Sequence, residues 1–289
     1  MKNTHIFSYT PDDLRRMPPR TARSHKGTYG RAVLICGSEG MAGAAYLCGK
    51  AAYRTGAGLV EIVTPEANRT ILQTLLPEAV LTVYDNSPAG MEAVADAVRR
   101  ADALGIGCGL GRSPLSLAVL KVALAYAAAP TVLDADALNL ISENQDLLPF
   151  LVGKTVTPHP TEMSRLSGKA VSEILADTVA VAQSFAATHR CVCVLKDHHT
   201  VVSDGSERSY QNNSGNSGMA TAGSGDVLCG ILCGILAQKK VDPIPMETAA
   251  LAVYLHGLCG DEAAQRLGEY SVMASDLIDA LPIILRKLP

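Results

Sequence analysis

Residues 212–230 read Asn-Asn-Ser-Gly-Asn-Ser-Gly-Met-Ala-Thr-Ala-Gly-Ser-Gly-Asp-Val-Leu-Cys-Gly. A run of small residues ends at Gly223-Ser224-Gly225-Asp226, and an apolar pattern at helical spacing (Val227, Leu228, Ile231, Leu232, Ile235, Leu236) begins at once. Glycines let a backbone approach a ligand closely. The helix that follows turns its positive end toward that loop, which suits a phosphate. Asp226 can cap such a helix, or it can accept a proton from a hydroxyl beside a bound phosphate. The two roles are compatible, and spacing alone leaves both open.

Working outward, strands and helices alternate. Arg31–Cys36 is an apolar strand followed by Gly37-Ser-Glu-Gly40 and an Ala/Gly-rich helix over Ala42–Gly56. Strands are expected at Leu59–Thr64, Ala103–Ile106, Thr131–Leu133, Thr155–Thr157 and Cys191–Leu195, with helices at Asn68–Leu75, Ala93–Arg99 and Leu115–Ala127. Thr200–Ser203 continues as an antiparallel partner, and Arg208–Gln211 is short β. The expected fold is α/β, a doubly wound, mainly parallel central sheet with helices on both faces and a mixed edge. Residues 1–30 are polar and contain Pro. Residues 1–24 are assigned to an N-terminal arm and residues 25–289 to one domain.

Polar and glycine signals cluster just after strands: Gly37–Gly40, Gly107–Arg112, Asp134–Asn139, His159–Glu162 and Lys196–Thr200. In open α/β sheets, ligands bind outside the carboxyl ends of the strands. These loops are therefore expected to line one crevice with Gly223–Asp226.

Composition excludes other classes. The chain has 289 residues, 48% hydrophobic and only 4% aromatic, which argues for a packed core and against disorder. A net charge of −3 provides no footprint for nucleic acid. Basic residues gather near the start (Arg15, Arg16, Arg20, Arg23, Lys26, Arg31), as a surface-lying arm also would. No segment reads as a signal peptide or membrane span, so no membrane partner is expected and the location is assigned to the cytoplasm. The eight cysteines lack CxxC pairing and His at ligand spacing, and are read as buried free thiols rather than disulfides or zinc ligands. The helix Val227–Leu236 is read as core, and Lys239-Lys240 as a solvated helix end.

No Walker P-loop, dinucleotide fingerprint or Gly-x-Ser-x-Gly elbow occurs. A glycine-lined anion hole with one Asp at a helix start fits phosphoryl transfer to a hydroxyl, in which positioning and charge stabilisation do most of the work.

Gly223-Ser-Gly-Asp226, preceded by Asn216-Ser-Gly-Met-Ala, resembles the anion-hole motif of the ribokinase-like superfamily. His25-Lys-Gly-Thr-Tyr-Gly30, Gly43-Ala-Ala, Gly105-Ile-Gly-Cys-Gly-Leu-Gly111, Leu133-Asp-Ala-Asp-Ala-Leu-Asn139, Thr157-Pro-His-Pro-Thr-Glu162 and Val194-Leu-Lys196 occur in order. Together they resemble the ADP/ATP-dependent NAD(P)H-hydrate dehydratases, the YjeF C-terminal domain family, over roughly residues 22–285.

The resemblance implies a lyase of metabolite repair. ADP or ATP, with Mg²⁺, phosphorylates the ring hydroxyl of the S-form of NADH or NADPH hydrate, and elimination of phosphate restores the dihydropyridine. It implies Asp226 as catalytic base and the N–H groups of Ala222, Gly223, Ser224 and Gly225 as the anion hole. Lys196, Asp197, His198, His199, Thr200 and Gly225 would bind nucleotide. Ala44, Gly109, His159 and Asp226 would contact the hydrated dinucleotide. Asp134 and Asn139 would order the crevice, and Glu162 would help hold Mg²⁺ through water. The resemblance further implies a homotetramer. The epimerase domain fused in many relatives is not expected in this chain, so functional pairing with a separate NAD(P)H-hydrate epimerase is expected.

This sequence departs from the family pattern twice. It has Cys108 where Gly-Pro-Gly is usual, and Asp197 where Lys-Gly is usual, which removes positive-φ freedom and adds a charge near phosphates. Read without the resemblance, His159 between two prolines is a turn histidine, and His198 and His199 are exposed loop residues. The alternative reaction is that of a ribokinase-like kinase acting on a small hydroxymethyl or hydroxyethyl heterocycle. His25–Gly30 and Thr157–Glu162 argue against it.

Overall fold

The computed structural model describes residues 5–238 and 245–288. Lys239 and Lys240, read as a helix end, lie outside the described residues. In chain order the strands are β1 (His5–Phe7), β2 (Arg31–Ile35), β3 (Leu59–Pro65), β4 (Val80–Tyr84), β5 (Ala103–Ile106), β6 (Thr131–Leu133), β7 (Thr155–Val156), β8 (Val192–Leu195), β9 (Val201–Ser203) and β10 (Arg208–Gln211). The helices are α1 (Ala42–Thr55), α2 (Arg69–Leu75), α3 (Pro88–Arg99), α4 (Pro114–Tyr126), α5 (Asp136–Glu143), α6 (Pro160–Ser167), α7 (Val171–Ala176), α8 (Thr178–His189), α9 (Ser224–Gln238), α10 (Pro245–Leu267) and α11 (Ala274–Leu285). The chain divides into two compact units: residues 18–137 with 222–242, and residues 1–17 with 138–221 and 243–289.

The first unit is a parallel α/β sheet. Its strands stand in the order β4-β3-β2-β5-β6, with Ala32 opposite Val60 on one side and Ala103 on the other. Ala32, Val33, Leu34 and Ile35 are all buried. Successive strand side chains point to opposite faces, so a run buried at every position requires cover on both. From β2 the chain builds outward through β3 and β4, then returns to place β5 on the other side of β2. That reversal is a topological switch point, where open α/β sheets bind ligands.

Helix α9 packs on α1 and against β2, β5 and β6. A Cβ built on Gly230 would stand 2.2 Å from the Cys48 carbonyl oxygen, and one on Gly234 2.7 Å from that of Ala52. Two glycines four residues apart thus let the two helices meet backbone to backbone. The direction of α9 follows from its neighbours. Ala237 near its end lies against Gly30 ahead of β2, and Cys233 lies against Gly105 in β5. The start of α9 is therefore at the carboxyl ends of β2 and β5.

A carboxylate is buried on β3. Glu61 on β3 accepts from Arg31 Nη1 and Arg100 Nε, each at 3.0 Å, from Arg100 Nη2, and from Thr82 Oγ1 at 2.6 Å. Burial pushes its carboxyl upward, but hydrogen bonds from Arg100 and Thr82 with the charges of Arg100 and Arg31 outweigh it, leaving the group below its ordinary value.

In the second unit β7 and β8 are parallel, β8-β9-β10 antiparallel, and β10 is parallel to β1. Helices α8 and α10 cover β8 and β9, and α10 packs on α11. The antiparallel pieces are those expected at Thr200–Ser203 and Arg208–Gln211.

The stretch read as an arm carries more structure than its polarity suggests. His5–Phe7 pairs with Arg208–Tyr210, and the rings of Phe7 and Tyr9 pack on Tyr210 with centroids 5.6 and 5.0 Å away. Three of the basic residues gathered near the start are engaged by the fold. Arg16 pairs with Asp13 and Glu247, Arg20 Nη2 donates to the Gly56 carbonyl at 2.9 Å, and Arg31 pairs with Glu61. Among the described residues no helix is long and apolar enough to cross a membrane.

Candidate active site

The glycine loops of the first unit converge at the switch point. Gly37 N–H donates to the Cys108 carbonyl at 2.8 Å, joining the loops that leave β2 and β5. Gly107 has φ +127°, and a Cβ there would stand 1.9 Å from the Asp134 carbonyl oxygen, so only glycine fits. Gly109 abuts Ala44, since its Cβ would stand 2.8 Å from the Ala44 methyl. Two of the four residues expected to contact the dinucleotide are thereby brought together, both buried. Asp134 at the end of β6 is buried and takes a long contact from the Cys108 thiol at 3.9 Å, and Asp136 Oδ2 accepts the Gly111 N–H at 2.8 Å.

Gly223, with φ +89°, accepts from Val227 N–H at 3.0 Å and so closes the first turn of α9. Asp226 is therefore the third residue of the helix, not its cap. It is half-buried, Ser224 is buried, and Ala222 is exposed. A carboxylate in the first turn is stabilised by the helix dipole. It also lies close enough to Cys36 to add to the upward push on that thiol.

The second unit holds a different set of groups. His159 caps α6: its Nδ1 accepts from the N–H groups of Thr161 and Glu162 at 3.1 and 3.3 Å. Glu162 Oε2 accepts the His159 N–H in return at 2.9 Å. An Nδ1 that accepts two amides leaves the ring proton on Nε2, which stands 3.4 Å from Glu162 Oε1. Lys196 Nζ lies 3.9 Å from Glu162 Oε2, and its N–H donates to the Pro158 carbonyl at 2.8 Å. The ends of β7 and β8 thus share the buried Glu162 carboxylate. Residues 196–200 form the turn between β8 and β9, tightened by Thr200 Oγ1 donating to the Asp197 carbonyl at 3.1 Å. His198 and His199 are exposed; His199 Nδ1 stands 3.1 Å from the Asn212 carbonyl oxygen. Asn139 Oδ1 accepts from Arg165 Nη1 at 2.7 Å.

With this geometry in view, sequence relatives decide the lineage. The family described as NAD(P)H-hydrate dehydratase matches residues 32–283. The chain belongs to the NAD(P)H-hydrate dehydratase family. It is 40% identical over 280 residues to the bifunctional NAD(P)H-hydrate repair enzyme Nnr of Moorella thermoacetica, an alignment covering 94% of this chain and 52% of that protein. It is 34% identical to the ADP-dependent (S)-NAD(P)H-hydrate dehydratase of Enterococcus faecalis, covering 93% of this chain and 88% of the relative. The crystal structure of the ADP/ATP-dependent NAD(P)H-hydrate dehydratase of Bacillus subtilis, co-crystallised with ATP/Mg²⁺, superposes with a TM-score of 0.83 at 31% identity, covering 99% of both chains. The fold is ribokinase-like, with a mostly parallel sheet. The chain spans about half the length of the bifunctional repair enzymes it matches.

In this member of the dehydratase family the run ahead of α9 is held by a residue with no sequence signature. Asp261 on α10 accepts the Gly215 N–H at 2.9 Å and the Asn216 side-chain amide at 3.0 Å. Ser214 Oγ donates to the Tyr254 carbonyl at 3.0 Å. The one available hint is an acid pair, Asp261-Glu262, on a helix whose preceding residues are mostly apolar.

Proposed function

We propose that this chain catalyses nucleotide-dependent dehydration of the S-form of NAD(P)H hydrate to NAD(P)H. The observation that carries the reading is Gly223–Asp226 opening α9 at the carboxyl ends of β2 and β5, with Asp226 in the first turn. The family match supports the substrate class. Asp226 accepts the proton of the ring hydroxyl as its oxygen attacks the terminal phosphorus of ADP or ATP, and the nucleotide departs one phosphate shorter. The C–O bond to the phosphorylated oxygen then breaks and releases inorganic phosphate, the adjacent ring carbon gives up a proton to water or the departing phosphate, and that C–H electron pair becomes the restored ring double bond. Phosphate leaves far more readily than hydroxide, which is what the nucleotide contributes.

The amides of Ala222–Gly225, with the positive end of α9, hold the transferred phosphoryl group. Lys196 and the turn 197–200 bind the nucleotide, with Gly225 against its phosphates. Ala44, Gly109 and His159 contact the hydrated dinucleotide. Asp134 and Asn139 order the loops that bear them.

Mg²⁺, when bound, neutralises charge on the nucleotide phosphates. It prefers oxygen donors and keeps several waters. Glu162 fits that use through water, because its two oxygens already face His159 and Lys196. We further propose a cytoplasmic homotetramer. Because only the S-form is consumed, complete repair requires pairing with an epimerase that interconverts R and S hydrates.

The test is to incubate purified protein with S-hydrate and Mg²⁺, adding ADP or ATP separately, and follow the near-ultraviolet absorbance of reduced nicotinamide. Recovery that requires nucleotide supports the proposal and identifies the donor. No recovery with either nucleotide, from folded protein that binds nucleotide, rejects the proposal and favours the kinase alternative.

A further inference from the structure

Cys36 just past β2, Cys48 on α1, Cys108 in the loop after β5 and Cys229 on α9 come from four separate elements and meet inside the first unit. The sulfur atoms of Cys36, Cys48 and Cys108 all lie within 4.8 Å of one another. Those of Cys108 and Cys229 lie within the same distance of each other and of an Asp134 carboxylate oxygen. The neighbouring Cys108, Cys229 and Cys36, with burial, hold the Cys48 thiol well above the ordinary thiol range. All four thiols are fully buried. Sequence spacing does not reveal the group, because no two of its members share an element.

We propose that Cys36, Cys48 and Cys108, with Cys229 as a fourth thiol within reach, bind one soft thiophilic cation, Cu⁺ or Zn²⁺. Thiolates about 2.3 Å from a tetrahedral ion stand about 3.8 Å apart. Sulfurs already inside 4.8 Å need only a small convergence to reach that spacing. Sulfur ligands select these cations over Mg²⁺, so the group is chemically distinct from any site for hydrated magnesium. Each coordinated cysteine gives its S–H proton to solvent as the sulfur–metal bond forms, and no oxidation state changes. In the ion-free protein the thiols are protonated: Cys108 beside it, followed by burial, holds Cys36 well above the ordinary thiol range. Cys229 lies three positions after Asp226, so a bound ion would brace the opening turns of α9. The inference stands independently of the proposed reaction.

The reduced, metal-free chain is equilibrated anaerobically with Cu⁺, and separately with Zn²⁺, each buffered by a coloured chelator. Both the native form and refolding are used, since sealed thiols open through local unfolding. The expected result is one ion retained per chain through gel filtration, and the two arms identify which. Cys36→Ser, Cys48→Ser and Cys108→Ser each weaken retention by at least about 100-fold, the upper end of what losing a supporting partner costs. Cys193→Ser and Cys259→Ser, in the other unit, retain it. Should the serine variants not fold, X-ray absorption on the wild-type ion is the second readout, with three or four sulfur neighbours at about 2.3 Å expected. No retained ion by either route, retention unchanged in Cys108→Ser, nitrogen and oxygen neighbours only, or a disulfide in place of the thiols would each overturn the proposal.

Discussion

At the residue scale, Asp226 is a half-buried carboxylate in the first turn of α9, a turn closed by Val227 N–H donating to the Gly223 carbonyl. Asp226→Asn keeps the shape and removes the base. It is expected to lower turnover by about 10²–10⁴-fold, the range general-base catalysis supplies. The cost to helix stability is only about 0.3–1 kcal/mol from the lost dipole interaction. Steady-state rates together with a thermal melt separate the two effects. Full turnover in Asp226→Asn would remove it from the mechanism. Lys196→Ala is expected to raise KM for the nucleotide by about tenfold or more while leaving the fold intact, as loss of a charge-assisted contact does. An unchanged nucleotide KM would take Lys196 out of the nucleotide site. The local conformation of the Gly223–Asp226 helix start was legible in the sequence, a run of small residues before an apolar helical pattern, whereas the roles of Asp226, Lys196 and His159 came from the family resemblance rather than from spacing. Asp261 was not legible, because its contacts with Gly215 and Asn216 arise from tertiary packing of α10.

At the element scale, α9 and α1 set the position of the Asp226 turn. Glycine inside a helix is intrinsically worse than alanine by about 1 kcal/mol, so an exposed Gly→Ala change would stabilise. At Gly230 the sign reverses, because the new methyl would meet the Cys48 carbonyl at 2.2 Å and a backbone atom cannot step aside cheaply. Overpacking costs about 1–3 kcal/mol and exceeds the propensity gain. Gly230→Ala should therefore lower the urea midpoint, and a raised midpoint would contradict the close packing of the two helices. The strands with continuous apolar runs were legible from pattern alone. Two were not. β4 is an edge strand with an exposed Val80 and follows a helix without a glycine loop. β1 is three residues long and gains its place from Phe7, Tyr9 and Tyr210 rather than from alternation.

At the scale of the whole molecule, stability should carry the signature of Glu61. Its folded carboxyl lies below the ordinary value, so its contribution is fully present above the unfolded value, near pH 4.3. It fades as the pH falls through the depressed folded value. Glu61→Gln should cost about 1–3 kcal/mol near neutrality, with the gap to wild type closing as the pH is lowered below about 4. Urea titrations at several pH values read this directly, and a gap independent of pH would contradict it. The division into two units was invisible in the sequence, since each draws residues from distant segments and no linker composition marks the crossing. Function belongs to this scale as well, because the proposed reaction couples a nucleotide to a repaired cofactor. The most direct measurement follows inorganic phosphate and reduced nicotinamide together during turnover of S-hydrate with the preferred nucleotide. The account predicts one phosphate released for each cofactor restored, and neither without nucleotide. A phosphorylated product that accumulates without restored cofactor, or restoration without nucleotide, would contradict it.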